Sequence, residues 1–366
     1  MKIAITTDFL VTSESEQLSN LKWFSQLLLR PIVATVGVDN VSKFYLSDSK
    51  TSSSREHFFS LISRSFDLKQ QLPFDVEDIT DEAILFVDEL CKDFDLIVGY
   101  ELSEQTRFIL EKIDKKYIDV WLHPIRYLDD VLFGIYSNDA TYYEHMQPYA
   151  VSEELFFIMA DLLKVQNYKG FTRFNYPLLP QSALFVGQTL LDKAVCYKGK
   201  FLNLLDFKDE FKQIVSQYNY VYYSRHPFVK AGDEQILKFL HRFDNVEIIN
   251  QSSYKLLASE SIEFVFSVSS SLVSEAFYFG KKVRFLYKPV FSVFGEEVKY
   301  QPIMHALFFE QFWKTVLLGK NDFSSYDLYL GKDCIRDHLA FYWGYRDIDK
   351  LECLKKQVGV LSNKLK

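Results

Sequence analysis

The chain has 366 residues, 48% hydrophobic and 25% charged, which suits a soluble globular protein of one or two domains. Its 42 basic residues against 49 acidic ones leave a net charge of −7, which excludes a general nucleic-acid binder but leaves room for a local basic cleft. No apolar run reaches about 18 residues, so no membrane span is expected.

The N-terminal MKIAITTDFL lacks a signal-peptide plan, and Met1–Thr6 reads as a first strand. Gln17–Leu29 has helical periodicity, and Pro31–Val38 reads as a separate apolar run. Ser42–Ser54 is a serine-rich loop, followed by helical segments at Arg55–Phe66 and Asp81–Leu90. Phe94–Gly99 is a short buried strand with Glu101 just past its end; Glu104–Ile113 is helical. Tyr117–Leu122 is a strand that runs into His123-Pro124-Ile125-Arg126, and Ser152–Leu163 is a helix. The two prolines of Asn175–Gln181, Pro177 and Pro180, mark a linker. A second series then alternates strand and helix. Its strands are Ala183–Val186, Tyr220–Tyr223, Val246–Ile249, Phe264–Phe266 and Val283–Tyr287; its helices are Phe207–Tyr218, Glu234–Phe243, Tyr254–Ala258 and Leu272–Phe279.

Alternation of this kind predicts an α/β chain with two mostly parallel sheets. The expected division is 1–178 and 179–334, with the helical segment 335–366 packing back on the first domain. Ligands of such sheets bind beyond the carboxyl ends of strands. Three polar clusters of the second half follow strands directly. They are Gly187-Gln188 with Asp192, Ser224-Arg225-His226-Pro227, and Ser267 with Ser269, Ser270 and Ser271. The serines precede a helix, where they either cap it or present donors to an anion. Arg225 and His226 are donors for a phosphate, and Asp192 is a carboxylate able to act as nucleophile or base. Taken singly, Asp192 suits a turn before the strand–turn–strand around Gly199, and His226-Pro227 suits a loop.

The order of these clusters, together with His123-Pro124-Ile125-Arg126-Tyr127-Leu128-Asp129-Asp130, resembles the bacterial retaining β-Kdo transferases of capsule and O-antigen polysaccharide synthesis. The resemblance spans residues 95 to 290. It implies a GT-B fold, two Rossmann-like domains facing a central cleft, with donor CMP-β-Kdo bound by the second domain. It makes Asp192 the nucleophile of a covalent Kdo–enzyme adduct, with His226 assisting departure of CMP. Gln188, Arg225, Ser269, Ser270 and Ser271 fall in the donor-binding motifs, Arg126 and Lys288 become candidate partners of the Kdo carboxylate, and His123 joins them in the donor site. Glu101 and Asp129 are alternative bases for the acceptor hydroxyl.

His-Pro and serine elements also occur in CMP-sialic acid transferases and CDP-glycerol transferases, which stand as the alternative; an inert GT-B scaffold of a polysaccharide assembly complex is the non-enzyme alternative. No cofactor and no metal are expected. Asp93-Phe94-Asp95 has a metal-binding pattern but precedes its strand, and the seven histidines are not paired at ligand spacing. Cys91, Cys196, Cys334 and Cys353 are scattered and read as reduced thiols of a cytoplasmic protein. Lys355, Lys356, Lys364 and Lys366 allow at most a peripheral contact with the inner membrane face. A saccharide acceptor, lipid-linked or free, and companion glycosyltransferases acting in trans are the expected partners.

Overall fold

The computed structural model describes residues 1–49, 51–62, 74–169, 177–189, 195–198, 200–227, 229, 231–290, 292–295, 299–320 and 328–340. The first unit opens with β1 (Ile3–Thr7), α1 (Glu14–Val36), β2 (Val41–Lys43), α2 (Arg55–Leu61) and α3 (Asp81–Cys91). It continues with β3 (Leu96–Tyr100), α4 (Glu104–Lys112), β4 (Lys116–Leu122), β5 (Phe133–Ser137), α5 (Ala140–Met146) and α6 (Glu153–Lys169). The second unit holds β6 (Ser182–Val186), the hairpin β7 (Cys196–Tyr197) and β8 (Lys200–Phe201), α7 (Lys208–Val215), β9 (Tyr220–Ser224) and α8 (Glu234–Leu240). It closes with β10 (Val246–Ile249), α9 (Ser253–Ala258), β11 (Ile262–Ser267), α10 (Leu272–Tyr278) and β12 (Lys282–Phe285). Last come β13 (Gln301–Ile303), α11 (Glu310–Leu318) and α12 (Cys334–Leu339).

The first sheet has the order β13-β5-β4-β3-β1-β2, parallel except at β5 and β13. The second has the order β10-β9-β6-β11-β12 and is parallel throughout. Two α/β units with mostly parallel sheets result, as the alternation of elements predicts. The central strands β1, β3 and β6 are buried along their whole length, with helices on both faces, whereas the edge strands β2 and β12 carry exposed Lys43, Lys282 and Arg284. Ile3, Ile5, Val98 and Val120 pack on one side of the first sheet with α1 and α11, while Ala4, Ile97 and Tyr117 pack on the other with α2 and α3. Phe185, Tyr223 and Phe266 pack under α7 and α8. The opposite face of the second sheet, Leu184, Val186, Tyr222 and Val265, shares a core with Ile125, Tyr127 and Leu128 of the first unit and with Phe156 of α6.

Three features depart from the sequence pattern. First, α1 runs unbroken through Pro31. Proline forfeits one helical hydrogen bond, but Leu28, Pro31 and Ile32 lie buried on one face, and that packing carries the helix past the expected break. Second, β5, left unassigned from the sequence although Phe133, Ile135 and Tyr136 favour a strand, pairs antiparallel with β4 over Phe133 to Ser137. Third, the chain returns to the first unit at β13, not at residue 335. Gln301–Ile303 joins β5, and α11 packs on α1 and α5. Of the expected C-terminal helical segment, α12 is described and 341–366 lies outside the described residues.

The return is fastened by a buried polar cluster. Asp119, inside β4, is fully buried and pairs with Arg107 of α4 at 2.9 Å. It also accepts hydrogen bonds from the Tyr300 hydroxyl (2.8 Å), Trp121 Nε1 (2.8 Å) and Leu102 N (3.0 Å). Burial raises the Asp119 carboxyl above the ordinary range, against the pull of Arg107 and these donors. Four donors converge on one carboxylate, so losing the acceptor strands more than losing one donor. Tyr300→Phe is expected to cost about 1–3 kcal/mol of stability and Asp119→Ala about 3–5 kcal/mol, read from urea denaturation of the full chain; equal costs would contradict this account of the cluster.

Candidate functional site

The strand order of the second sheet reverses at β6, the first strand laid down, which has β9 on one side and β11 on the other. Crossovers leave from opposite faces at such a point, so the carboxyl ends of the flanking strands open a crevice. The Gly187-Gln188, Arg225-His226 and Ser269–Ser271 clusters all lie there. They are clasped together: Gly187 N donates to Ser224 O (2.8 Å), Ser267 Oγ to Val186 O (2.7 Å), and Ser269 N to Gln188 Oε1 (3.1 Å). Gly187 is required by space. A Cβ there would stand 2.9 Å from the Tyr223 hydroxyl and 3.2 Å from His226 N, which is backbone and cannot swing aside.

The serine turn leads into α10. Ser267 Oγ accepts from Ser270 N (3.2 Å), and Ser271 occupies the N-cap position without a side-chain capping bond. Among the described residues, the hydroxyls of Ser269, Ser270 and Ser271 have no hydrogen-bond partner, while Gln188 Nε2 is buried and unpartnered. The site therefore offers three hydroxyls and an amide with unused hydrogen-bonding capacity beside a helix start.

Arg225 is less available than its motif suggests. Its Nε and one terminal nitrogen bind the buried Asp233 carboxylate at 2.7 and 2.6 Å, which fixes the turn carrying His226 and leaves one terminal nitrogen for a ligand. Asp192 lies outside the described residues.

Across the crevice the first sheet has its own reversal, between β1 and β3. Glu101, just past β3, has a positive φ of 51°, a conformation uncommon for glutamate, and its N donates to Val120 O (2.9 Å). Lys288, past β12, pairs with Glu104 at the start of α4 (3.1 Å), and Lys198 N donates to Asp75 (3.2 Å). The carboxyl ends of the two sheets thus face each other. Lys288 is exposed and already paired, at the rim of the crevice.

The segment His123–Asp130 is placed differently from its sequence reading. His123 is 2% exposed, packs on Phe156, and its Nδ1 accepts from Ile125 N (3.2 Å). Burial, followed by the charge of Arg126, lowers its pKa to about 3, so it is neutral. It shapes the loop and, as found, is not exposed to a ligand in the crevice. Arg126 is half-buried, and no described residue hydrogen-bonds its guanidinium. Its backbone N donates to Glu275 Oε1 (2.6 Å), which sets it beside the first turn of α10. Asp129 is 49% exposed, 3.8 Å from Lys332, and lines a separate cavity.

Three residues given no role from the sequence, Asp130, Arg336 and Glu275, hold this loop. Asp130, fully buried, accepts from Val131 N, Ile335 N and Arg336 N at 2.7–2.8 Å and lies 2.8 Å from His305 Nε2. Burial works to raise its pKa, but His305 and the three N–H groups outweigh it and the carboxyl lies below its ordinary value. Arg336 in turn donates to Arg126 O and Leu128 O (both 3.0 Å). Glu275 also accepts from the Tyr254 hydroxyl (3.1 Å), and burial pushes it up to about 7, against those two donors and the charges of Arg126 and Arg336. Its only sequence signal was a glutamate among the small and apolar residues of α10. Asp93-Phe94-Asp95 sits at the other end of the first sheet, where Asp95 accepts from Lys2 N (2.6 Å). Among the described residues no group of three potential metal ligands gathers.

No family model matches the sequence, and no curated protein sequence matches it. Among solved structures, the chain is similar to the β-Kdo 2,7-transferase of KpsC from Thermosulfurimonas dismutans (13% identity, 84% of this chain and 88% of that one, TM-score 0.38). It is also similar to the β-Kdo 2,4-transferase of the same KpsC (15%, 56% and 73%, TM-score 0.35). A third likeness is to Escherichia coli heptosyltransferase WaaC with ADP-2-deoxy-2-fluoro heptose (10%, 81% and 92%, TM-score 0.27). At such identities and scores these likenesses carry no inference about activity.

Glu275 and Gly187 each generate a prediction. The native pKa of Glu275 lies above the unfolded value of about 4.3, so the folded state holds the proton more tightly. Its stabilising contribution is full below that unfolded pKa and is lost as pH rises through about 7. Glu275→Gln is expected to remove a fall on the order of 3 kcal/mol between pH 4.5 and 8 in denaturant titrations; an unchanged pH profile would contradict the assignment. Gly187→Ala is expected to cost about 1–3 kcal/mol by overpacking, measured by thermal denaturation.

Proposed function

We propose that this chain is a glycosyltransferase that moves Kdo from CMP-β-Kdo to a saccharide acceptor, with retention of configuration, in the synthesis of a bacterial surface polysaccharide. The observation that carries the reading is the convergence of Gln188, His226 and Ser269–Ser271 at the reversal point of the second sheet, with the serine hydroxyls unpartnered among the described residues. Hydroxyls and N–H groups at a strand-to-helix turn suit a phosphate. Arg126, beside the same helix, suits the carboxylate that distinguishes Kdo among sugars.

In this reading Ser269, Ser270, Ser271 and His226 hold the CMP phosphate. The Asp192 carboxylate attacks the anomeric carbon, the bond from that carbon to the phosphate oxygen breaks, and CMP departs with the bonding pair. Glu101, just past β3, then takes the proton of the acceptor hydroxyl, whose oxygen attacks the same carbon and frees Asp192; Asp129, the alternative base, lines the separate cavity instead. Two inversions give net retention. The steps need no metal, and the reading places the protein in the cytoplasm, working beside other glycosyltransferases.

The test is intact mass after incubation with CMP-β-Kdo, with and without acceptor. A gain of one Kdo that disappears in Asp192→Ala is the expected result, and chelator leaves it unchanged. Full transfer by Asp192→Ala with no adduct overturns the nucleophile. Adducts or products only with CMP-sialic acid or CDP-glycerol redirect the donor, and absence of CMP binding by calorimetry favours a scaffold.

A further inference from the structure

A cavity of about 430 Å³ lies apart from the strand-end crevice, between the Leu128–Asp129 loop, the turn at Pro148–Val151, α6, and the returning chain at Met304–Ala306 and Leu328–Tyr329. That is near the lower end of small-molecule sites, about 300–1,000 Å³, and suits a ligand of one or two rings. Its lining is mixed. Leu128, Leu155, Met159 and Met304 supply apolar walls, and Tyr149 and Tyr329 supply aromatic ones. Asp129, His305 and Gln311 are polar.

These groups differ in what they have left to offer. His305 lies 2.8 Å from Asp130 through Nε2 and accepts from Leu330 N through Nδ1, so both ring nitrogens are used. The Tyr149 hydroxyl meets Thr315 Oγ1 at 2.7 Å. Tyr329 is 47% exposed and packs on His305, with ring centroids 5.1 Å apart, so part of its ring stays open to a ligand. Asp129 has the most capacity. Its carbonyl accepts from Asp333 N (2.7 Å), but no described residue donates a hydrogen bond to its carboxylate. Lys332, at 3.8 Å, is beyond hydrogen-bond reach.

Charge narrows the ligand. Among the described residues, Asp129 carries the one formal charge on the lining, so an anion meets a like charge. A cation competes with Lys332, which stands beside the same carboxylate. A hydrocarbon covers the carboxylate and gives it no donor. A neutral ring with hydroxyls at its edge and C–H groups on its faces meets none of these costs. Its hydroxyls donate to Asp129, and its faces lie against Tyr329 and the methionines. Position points the same way. Asp129 follows Arg126 by three residues, at most about 11 Å of extended chain, and Arg126 stands beside the start of α10 at the crevice. A sugar chain that ends in the crevice has only that distance to cover.

We infer that this cavity is a second saccharide site, which holds a neutral sugar unit of the acceptor through Asp129 and Tyr329. Naming the acceptor rests on the transferase reading; the binding of a neutral sugar does not. Asp129 is then a binding residue, which leaves Glu101 as the acceptor base.

Ligand-observed NMR titration of the full chain, without nucleotide, tests this. The probes are the methyl glycosides of glucose, galactose and N-acetylglucosamine, with methyl glucuronide and cyclohexanol as charged and hydroxyl-poor comparisons. At least one neutral glycoside is expected to bind, and more tightly than either comparison. Asp129→Ala is expected to weaken it about tenfold or more, through loss of hydrogen bonds to a charged acceptor. Asp129→Asn, which keeps one acceptor, is expected to weaken it less. Leu155→Trp, at a half-exposed position of α6 where a larger ring is tolerated, is expected to weaken it by filling the cavity. Melting temperatures identify which variants fold. Absence of binding by every neutral glycoside, equal binding of cyclohexanol, or an affinity unchanged in a folded Asp129→Ala or Leu155→Trp variant overturns the inference. Glycoside binding by a chain that makes no Kdo product leaves this site standing and removes the transferase reading. Kdo transfer by a chain that binds no neutral glycoside removes this site instead.

Discussion

The structure depends on the burial of one carboxylate, Glu275. It stands one turn into α10, immediately after the serine turn of the second unit, and accepts the backbone N–H of Arg126 from the first. Burying a carboxyl is costly unless donors meet it, and here the donors, Arg126 N and Tyr254 Oη, come from different units. Satisfying Glu275 therefore sets the register between the sheets. The same contact brings the Arg126 side chain alongside the start of α10, so the packing of the units and the composition of the crevice are one constraint.

A second constraint is steric. Parallel strands with helices on both faces open at their carboxyl ends where the order reverses, and three polar turns are exposed there by topology alone. What joins them is closeness of backbone: Gly187 leaves no room for a side chain between Tyr223 and His226, and Gln188 reaches across to Ser269 N. Arg225 illustrates the cost of such order. Most of its hydrogen-bonding fork is committed to Asp233, so it holds the turn in place more than it reaches into the crevice.

The first unit is finished by chain that arrives late. β13, α11 and α12 come after the whole second unit, yet β13 extends the first sheet, and Asp130 holds the N-terminal N–H groups of α12. The loop bearing Arg126 is consequently held from three directions: by its own His123, by Arg336 of α12, and by Glu275. The buried cluster around Asp119 anchors the crossing itself through Tyr300.

Local periodicity was enough to determine the alternation of strands and helices, the α/β class, and the strand ends on which Gln188, His226 and Ser269–Ser271 sit, because these follow from side-chain spacing and turn chemistry within about ten residues. It misjudged α1 at Pro31, passed over β5, and set the return of the chain too late, because each is decided by packing against residues distant in sequence. Glu275, Asp119 and Asp130 were not legible for the same reason: a buried carboxylate has meaning only through its donors, and theirs come from other elements. His123 shows the converse, a polar residue in a binding motif that the fold buried. Turn chemistry sets which strand ends carry polar groups; which of those groups face the crevice depends on the folded packing, since burial and long-range hydrogen bonds use some of them to hold the fold together.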